Sequence, residues 1–319
     1  MRKIIIDTDP GIDDAAAIAI AMFSPELDVQ LITTVSGNVS VEKTTHNALR
    51  LMTLWNAGVP VAAGASRSLT GMRYDAGDTH GESGMDGFAF DEVTVQPVKL
   101  HAVEAMRRVL ERSEEKVTLV PIGPLTNLAL LFVQYPEVKE KIEEIVLMGG
   151  AFLRGNITPA AEFNIYVDPE AADIVFRSGL PIVMCGLELA NMARITGPMV
   201  DAVRGNNPTA EMIYRLFEHY RDGDMESGLN MFDSTAVAYL LAPELYTTVD
   251  CFVGIETASP LTRGMTVCDL DNRLGRTPNV KVCTAVDPAG FQKLFIDALA
   301  SANGVPENPT AAMWLYDEV

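Results

Sequence analysis

The chain has 319 residues, 48% of them hydrophobic and 21% charged, which is the composition of a folded protein and excludes extensive disorder. Asp and Glu outnumber Lys and Arg by 43 to 24, giving a net charge of −19 at pH 7. With no Lys/Arg-rich tract to follow phosphates, nucleic acid is excluded as a partner.

No apolar stretch approaches the roughly 18 residues of a membrane span, so no membrane partner is expected. Cys185, Cys251, Cys268 and Cys283 form no C-x-x-C pair, and the N-terminus enters a strand at once without a signal-peptide pattern. A reduced, cytoplasmic protein is the expectation.

The first apolar run, Ile4–Ile6, predicts a strand that delivers Asp7, Asp9, Asp13 and Asp14 into a strand-to-helix turn. Four carboxylates this close repel one another and require a counter-charge. Asp13 and Asp14 can cap a helix expected to begin at Ala15, where free N–H groups favour anions. Asp7 and Asp9 are then left over, and a hard, oxygen-liganded cation such as Ca²⁺ or Mg²⁺ would neutralise the group.

The second run, Val29–Val35, leads into Ser36-Gly37-Asn38. Val41, Thr45, Ala48, Met52 and Trp55 then recur at helical spacing as one buried stripe. After a third run, Val59–Ala62, residues 65–98 carry Gly71, Gly77, Gly81, Gly84 and Gly87 with little periodicity, the mark of a long functional loop. The aromatic pair Phe88 and Phe90 argues against its being disordered.

Three more strand runs follow: Val117–Val120, ending in Pro121-Ile122-Gly123-Pro124; Ile145–Met148, ending in Gly149-Gly150; and Ile182–Met184. After the fifth run come Gly155-Asn156 and Ala161-Glu162-Phe163-Asn164, too polar and irregular to be core. Asp168-Pro169-Glu170 reads as a helix start and Gly179 as its end. A helical excursion is expected around residues 190–245. Within it Asp233 precedes Ala236, Val237, Leu240 and Leu241, and by itself reads as a plain N-cap. Val280, Val282, Thr284 and Val286 alternate as a half-buried strand does. Asp287-Pro288 opens a final helix burying Phe291, Leu294, Phe295 and Ala298.

This alternation predicts a single α/β domain over 1–319, with one open, mostly parallel sheet flanked by helices. Ligands of such sheets bind outside the carboxyl ends of the strands, where the unusual residues gather. A hard cation takes six to eight oxygens, so acids or carbonyls from elsewhere, Asp233 among them, would have to join the first turn.

The run Asp7-Thr8-Asp9-Pro10-Gly11-Ile12-Asp13-Asp14-Ala15, with Thr34-Val35-Ser36-Gly37-Asn38, Ile122-Gly123-Pro124-Leu125-Thr126-Asn127, Met148-Gly149-Gly150 and Ala161-Glu162-Phe163-Asn164, closely resembles the inosine-uridine-preferring nucleoside hydrolases. The resemblance extends over nearly the whole chain. Ser227-Gly228-Leu229, the stretch 35–45 and His80-Gly81-Glu82-Ser83-Gly84-Met85 are most similar to the bacterial, broad-specificity ribonucleoside hydrolase subgroup.

The resemblance implies a Rossmann-like nucleoside hydrolase fold and a homodimer or homotetramer. It implies Ca²⁺-dependent hydrolysis of the N-glycosidic bond of purine or pyrimidine ribonucleosides to free base and ribose. It assigns the metal to Asp9, Asp14, the Ile122 carbonyl and Asp233, with Asp9 also the general base. Asp13, Asn38 and Asn164 would hold the ribose hydroxyls, and Asn156 and Glu162 would lie near the 3′- and 5′-hydroxyls. Met148 would lie beneath the sugar, with Phe163 in the same binding segment.

Many members carry a His immediately before the metal-binding Asp, suited to protonating the departing base; here that position is Phe232. His80 is the implied substitute acid. His219 and Tyr220 are weaker candidates, and His46 and His101 read as structural or solvated.

Two other readings fit in part. A haloacid-dehalogenase-like phosphohydrolase also ends its first strand in Asp-x-Asp, but expects Thr or Val where Gly11 stands. A non-catalytic, calcium-dependent nucleoside binder would suit Phe232, but leaves Asp9 without a purpose.

Overall fold

Ile4 and Ile6 bury into one hydrophobic core while Ile5 buries into another, because alternate side chains of a strand leave opposite faces of a sheet. Their strand is therefore covered on both sides, which explains its unbroken apolar run. The computed structural model describes residues 1–72, 81–220 and 224–318.

The strands are β1 (Arg2–Thr8), β2 (Leu27–Thr34), β3 (Val61–Ala63), β4 (Val117–Pro121), β5 (Ile142–Met148), β6 (Ile182–Cys185), β7 (Tyr246–Ile255), β8 (Thr266–Asp269) and β9 (Val280–Val286). They form one sheet in the order β3-β2-β1-β4-β5-β6-β9-β7-β8. Every pairing from β3 to β9 in that order is parallel, and β7 runs antiparallel to both β9 and β8. The open, mostly parallel α/β sheet is as expected. The β7–β8 edge is an addition: both strands mix buried residues with exposed ones.

The helices are α1 (Ile12–Phe23), α2 (Val41–Trp55), α3 (Ala102–Arg112), α4 (Thr126–Gln134), α5 (Phe163–Val167), α6 (Pro169–Phe176), α7 (Leu187–Met192), α8 (Gly197–Asp201), α9 (Pro208–His219), α10 (Phe232–Leu241) and α11 (Pro288–Ser301). On one face α1, α2, α10 and α11 share a core with Ile4 and Ile6. On the other, α3, α4 and α6 pack with Ile5, Leu31 and Leu119. The stripe on α2 is buried as its spacing predicts.

Asp168 and Asp287 cap α6 and α11, accepting from the backbone N–H of Ala171 and Ala289. Phe291 and Phe295 are fully buried on α11, while Leu294 and Ala298 are only partly so. The start of α1 differs from expectation. It begins at Ile12, with Gly11 as N-cap, so Asp13 and Asp14 lie inside its first turn rather than ahead of it.

All four cysteines are free thiols. Cys185 and Cys283 face each other across β6 and β9 with their sulfurs 4.0 Å apart. Among the described residues no helix is long and apolar enough to cross a membrane.

Candidate active site

Strands β1, β2 and β4 end level with one another: Thr8 pairs with Thr34, and Asp7 with Pro121. The next residues are held together by Val35 N donating to Thr8 O at 3.0 Å and Ile122 N donating to Asp7 O at 2.8 Å. Asp9 therefore emerges between the loop after β2 and the loop after β4.

Only glycine fits on either side of it. A β-carbon on Gly37 would stand 2.0 Å from Asp9 Oδ2, and one on Gly123 would stand 2.5 Å from Oδ1. The backbone N–H of Asn38 donates to Oδ2 at 2.7 Å, and Asn38 Nδ2 donates to the Asp9 carbonyl at 3.1 Å. Asp9 Oδ1 is buried and without a hydrogen-bond partner among the described residues.

Asp13, Asp14 and Asp233 converge beside it, with one carboxylate oxygen from each within 4.8 Å of the others and all three buried. Asp14 is oriented by Thr8 Oγ1 at 2.5 Å, Gly11 N at 2.9 Å and Asn38 Nδ2 at 3.1 Å. Asp233 is the second residue of α10, whose N-cap is Met231. The plain N-cap reading of Asp233 is thus overturned: its side chain is buried against the other acids instead of closing the helix end.

Burial and then the charges of Asp13, Asp14 and Asp9 push the Asp233 carboxyl well above its usual range. Burial and then Asp14 do the same to Asp9. Buried like charges at this spacing fit a cation with a preference for oxygen. The tight set includes Asp13, with Asp9 flanking it, whereas the family resemblance put Asp9 on the ion and Asp13 on the sugar.

The segment after β5 closes the other side. Glu162 caps α5, its carboxylate accepting from the backbone N–H of Asn164 at 2.8 Å, Ile165 at 3.1 Å and Gly150 at 2.9 Å. Burial raises its carboxyl to about 7, against the lowering effect of those donors. Asn164 Nδ2 in turn donates to the carbonyl of Ile122 at 2.9 Å and of Met148 at 3.2 Å. Asn156 is exposed and accepts from Phe163 N at 3.0 Å, so its oxygen positions the segment.

Asp9, Asp13, Asp14, Asn38 and Asp233 are thus brought together, as are Ile122, Met148 and Asn164. His80 lies outside the described residues. His101 is the N-cap of α3 and His46 is exposed on α2. His219 is exposed at the end of α9, whereas Tyr220 is buried in the core. Phe232 lines a cavity of about 620 Å³ together with Asn156, Ile157, Leu187, Asn191 and Asn230.

Several supporting residues had no role in the sequence reading. Thr33 Oγ1 and Asn127 Nδ2 donate to Asp7 Oδ1 at 2.6 and 2.8 Å, which fixes Asp7 behind the cluster. Burial raises the Asp7 carboxyl to about 7. Asn127 also donates to Thr34 O and accepts from Ala65 N. Polar residues that directly follow several strand ends are the signal that marks them.

The family model described as inosine-uridine preferring nucleoside hydrolase matches residues 4–293. The chain is 54% identical over 299 residues to a non-specific ribonucleoside hydrolase, RihC, of Escherichia coli O6:H1, covering 94% of this chain and 98% of that protein. It is 53% identical, with the same coverage, to the RihC of Klebsiella pneumoniae subsp. pneumoniae. Among solved structures it matches a purine-preferring ribonucleoside hydrolase from Gardnerella vaginalis with a TM-score of 0.88 and 30% identity, over 94% of this chain and 99% of that one. The phosphohydrolase reading accounts for none of this, and relatives named as hydrolases leave no ground for a mere binder. The chain belongs to the inosine-uridine preferring nucleoside hydrolases and is an enzyme that cleaves the N-glycosidic bond of ribonucleosides.

Proposed function

We propose that the protein is a Ca²⁺-dependent ribonucleoside hydrolase of broad base tolerance, with Asp9 as general base. The observation that carries this is the position of Asp9 Oδ1: buried, without a partner among the described residues, and walled by two glycines at the edge of the Asp13–Asp14–Asp233 cluster. Asp9, Asp14, Asp233 and the Ile122 carbonyl would hold the ion. Bound there, such an ion would lower the pKa of the attacking water.

Asp9 Oδ1 accepts the proton of the water that attacks the anomeric carbon, while the Asn38 N–H holds Oδ2 still. Cleavage builds positive charge on the ribose, and the ring of carboxylates and amide oxygens stabilises that charge more than the neutral substrate. Asp13, Asn38 and Asn164 orient the sugar, Met148 lies beneath it, and Glu162 fixes the segment that carries Asn164. Phe232 stacks on the base and gives it no proton, so His80 is assigned that part.

The test is ribose release from a panel of ribonucleosides with and without chelator. Release that stops on chelation and returns with Ca²⁺ is expected, and release unaffected by chelation would overturn the metal. Because Asp13, Asn38 and Asn164 are assigned to the ribose hydroxyls, inosine should far outpace 2′-deoxyinosine, and equal rates would overturn those contacts. A homodimer or homotetramer in the cytoplasm completes the reading, with the assembly to be checked by light scattering.

A further inference from the structure

The cavity beside Phe232 holds a pair of amides that the chemistry above does not use. Asn230 is 7% exposed, and its Nδ2 donates to Asn191 Oδ1 at 3.0 Å. Its own Oδ1 is buried with no partner among the described residues. Asn191 is exposed on α7, and both residues line the cavity with Phe232. At about 620 Å³ it falls in the size range of small-molecule sites.

Its two ends locate it. Phe232 directly precedes Asp233 of the carboxylate cluster, and Asn156, which also lines the cavity, accepts from Phe163 N beside Asn164. The cavity thus adjoins the carboxylate cluster on one side and the Asn164 segment on the other, the place for a base whose ribose is held at the cluster.

An amide oxygen left unpaired in a buried place costs about 1–3 kcal/mol, a cost that a donor on a bound ligand removes. An Asn side chain can also turn end for end and exchange donor for acceptor. If both amides turn together, their mutual hydrogen bond survives, now running from Asn191 Nδ2 to Asn230 Oδ1. Asn230 then presents Nδ2 in place of Oδ1.

We propose that Asn230 reads the hydrogen-bonding edge of the base, and that its paired flip with Asn191 lets one site accept both oxo and amino bases. Uracil and hypoxanthine carry a ring N–H beside a carbonyl and pair with Oδ1. Cytosine and adenine carry a ring nitrogen lone pair beside an amino group and pair with Nδ2. This inference rests on the hydrolase reading and adds to it the element that makes the base choice permissive.

The test compares kcat/KM for uridine, cytidine, inosine and adenosine with that for 4-nitrophenyl riboside, whose leaving group has no such edge. Asn191→Asp, on the exposed side, removes the outer donor and locks Asn230 with Oδ1 toward the base. The uridine-to-cytidine and inosine-to-adenosine ratios should each rise at least about fivefold. Asn230→Leu should lower all four nucleosides at least about fivefold relative to the nitrophenyl riboside. Unchanged ratios in Asn191→Asp, or an equal loss on all five substrates in Asn230→Leu, would overturn the proposal. A wild-type protein that releases ribose from the nitrophenyl riboside and from no nucleoside would instead overturn the function on which it rests.

Discussion

Asn164 Nδ2 donates to the carbonyl oxygen of Ile122 at 2.9 Å, so a side chain from α5 fixes the backbone at the end of β4. Because the same nitrogen reaches the Met148 carbonyl, one amide joins two strand ends. Asn164→Leu removes both N–H donors, at a cost of about 1–3 kcal/mol in stability for each buried carbonyl left without a partner. Calcium affinity should fall roughly 10- to 100-fold, as for other groups that orient metal ligands, with a larger loss in kcat/KM. Calorimetric titration with Ca²⁺ checks this, and an unchanged affinity would detach the Ile122 carbonyl from the ion.

Gly37→Ala places a β-carbon against Asp9 Oδ2, where only 2.0 Å is available. The carboxylate has to move, and displacement of a reacting group by about 1 Å costs roughly 10²-fold in rate. Gly58→Ala is the matched control, since nothing lies within 4 Å of its β-carbon position. Steady-state kinetics on uridine should show the loss in the first variant alone.

Glu162 links stability to pH. In the folded state it holds its proton to about 7, against a usual value of 4.5. Between those values the native state therefore binds more protons than the unfolded chain, and its contribution to stability falls as pH rises, then levels off above 7. Glu162→Gln removes this dependence. The stability of wild type relative to the variant should drop by on the order of 3 kcal/mol between pH 4 and pH 8, measured by denaturant titration. A difference that stays constant with pH would show that folding does not shift the carboxyl's proton affinity.

Metal removal should destabilise the fold as well as stop turnover. Burial and then the charges of Asp13, Asp14 and Asp9 push the Asp233 carboxyl up, and the carboxylates of Asp13, Asp14 and Asp233 lie close together. A cation bound only by the native state, at 100 times its Kd, adds about 2.7 kcal/mol. Scanning calorimetry with increasing Ca²⁺ should show a rising melting temperature, and a flat response would argue that the cluster binds no ion.

Residues with local signatures were legible in the sequence. Asp168-Pro169 and Asp287-Pro288 announce their helices because the cap and the first-turn proline act within four residues. Asp9 stood out because acids at a strand end are costly without a reason to be there. Asp233 was ambiguous by itself, because its neighbours on the chain look the same whether it caps a helix or meets Asp14 from across the fold, and only the family resemblance put it on the ion. Strands β7 and β8 were missed because partly exposed strands mix polar and apolar residues. The start of α1 was misplaced because Gly11 caps it without a side chain, and Asp14 answers from three residues inside by accepting the Gly11 N–H. The Asn164–Ile122 bond spans 42 positions, and no spacing rule reaches that far.

The two walls of the site differ in how freely they can vary. Asp9 is confined by Gly37 and Gly123, so neither neighbour can take on a side chain while the acid keeps its place. The cavity wall beside Phe232 is lined by residues 154–159, Leu187 and Asn191 of α7, and Asn230, none of them a member of the carboxylate cluster. New substrates can therefore be reached by mutation on that wall alone, with the hydrolytic apparatus inherited intact.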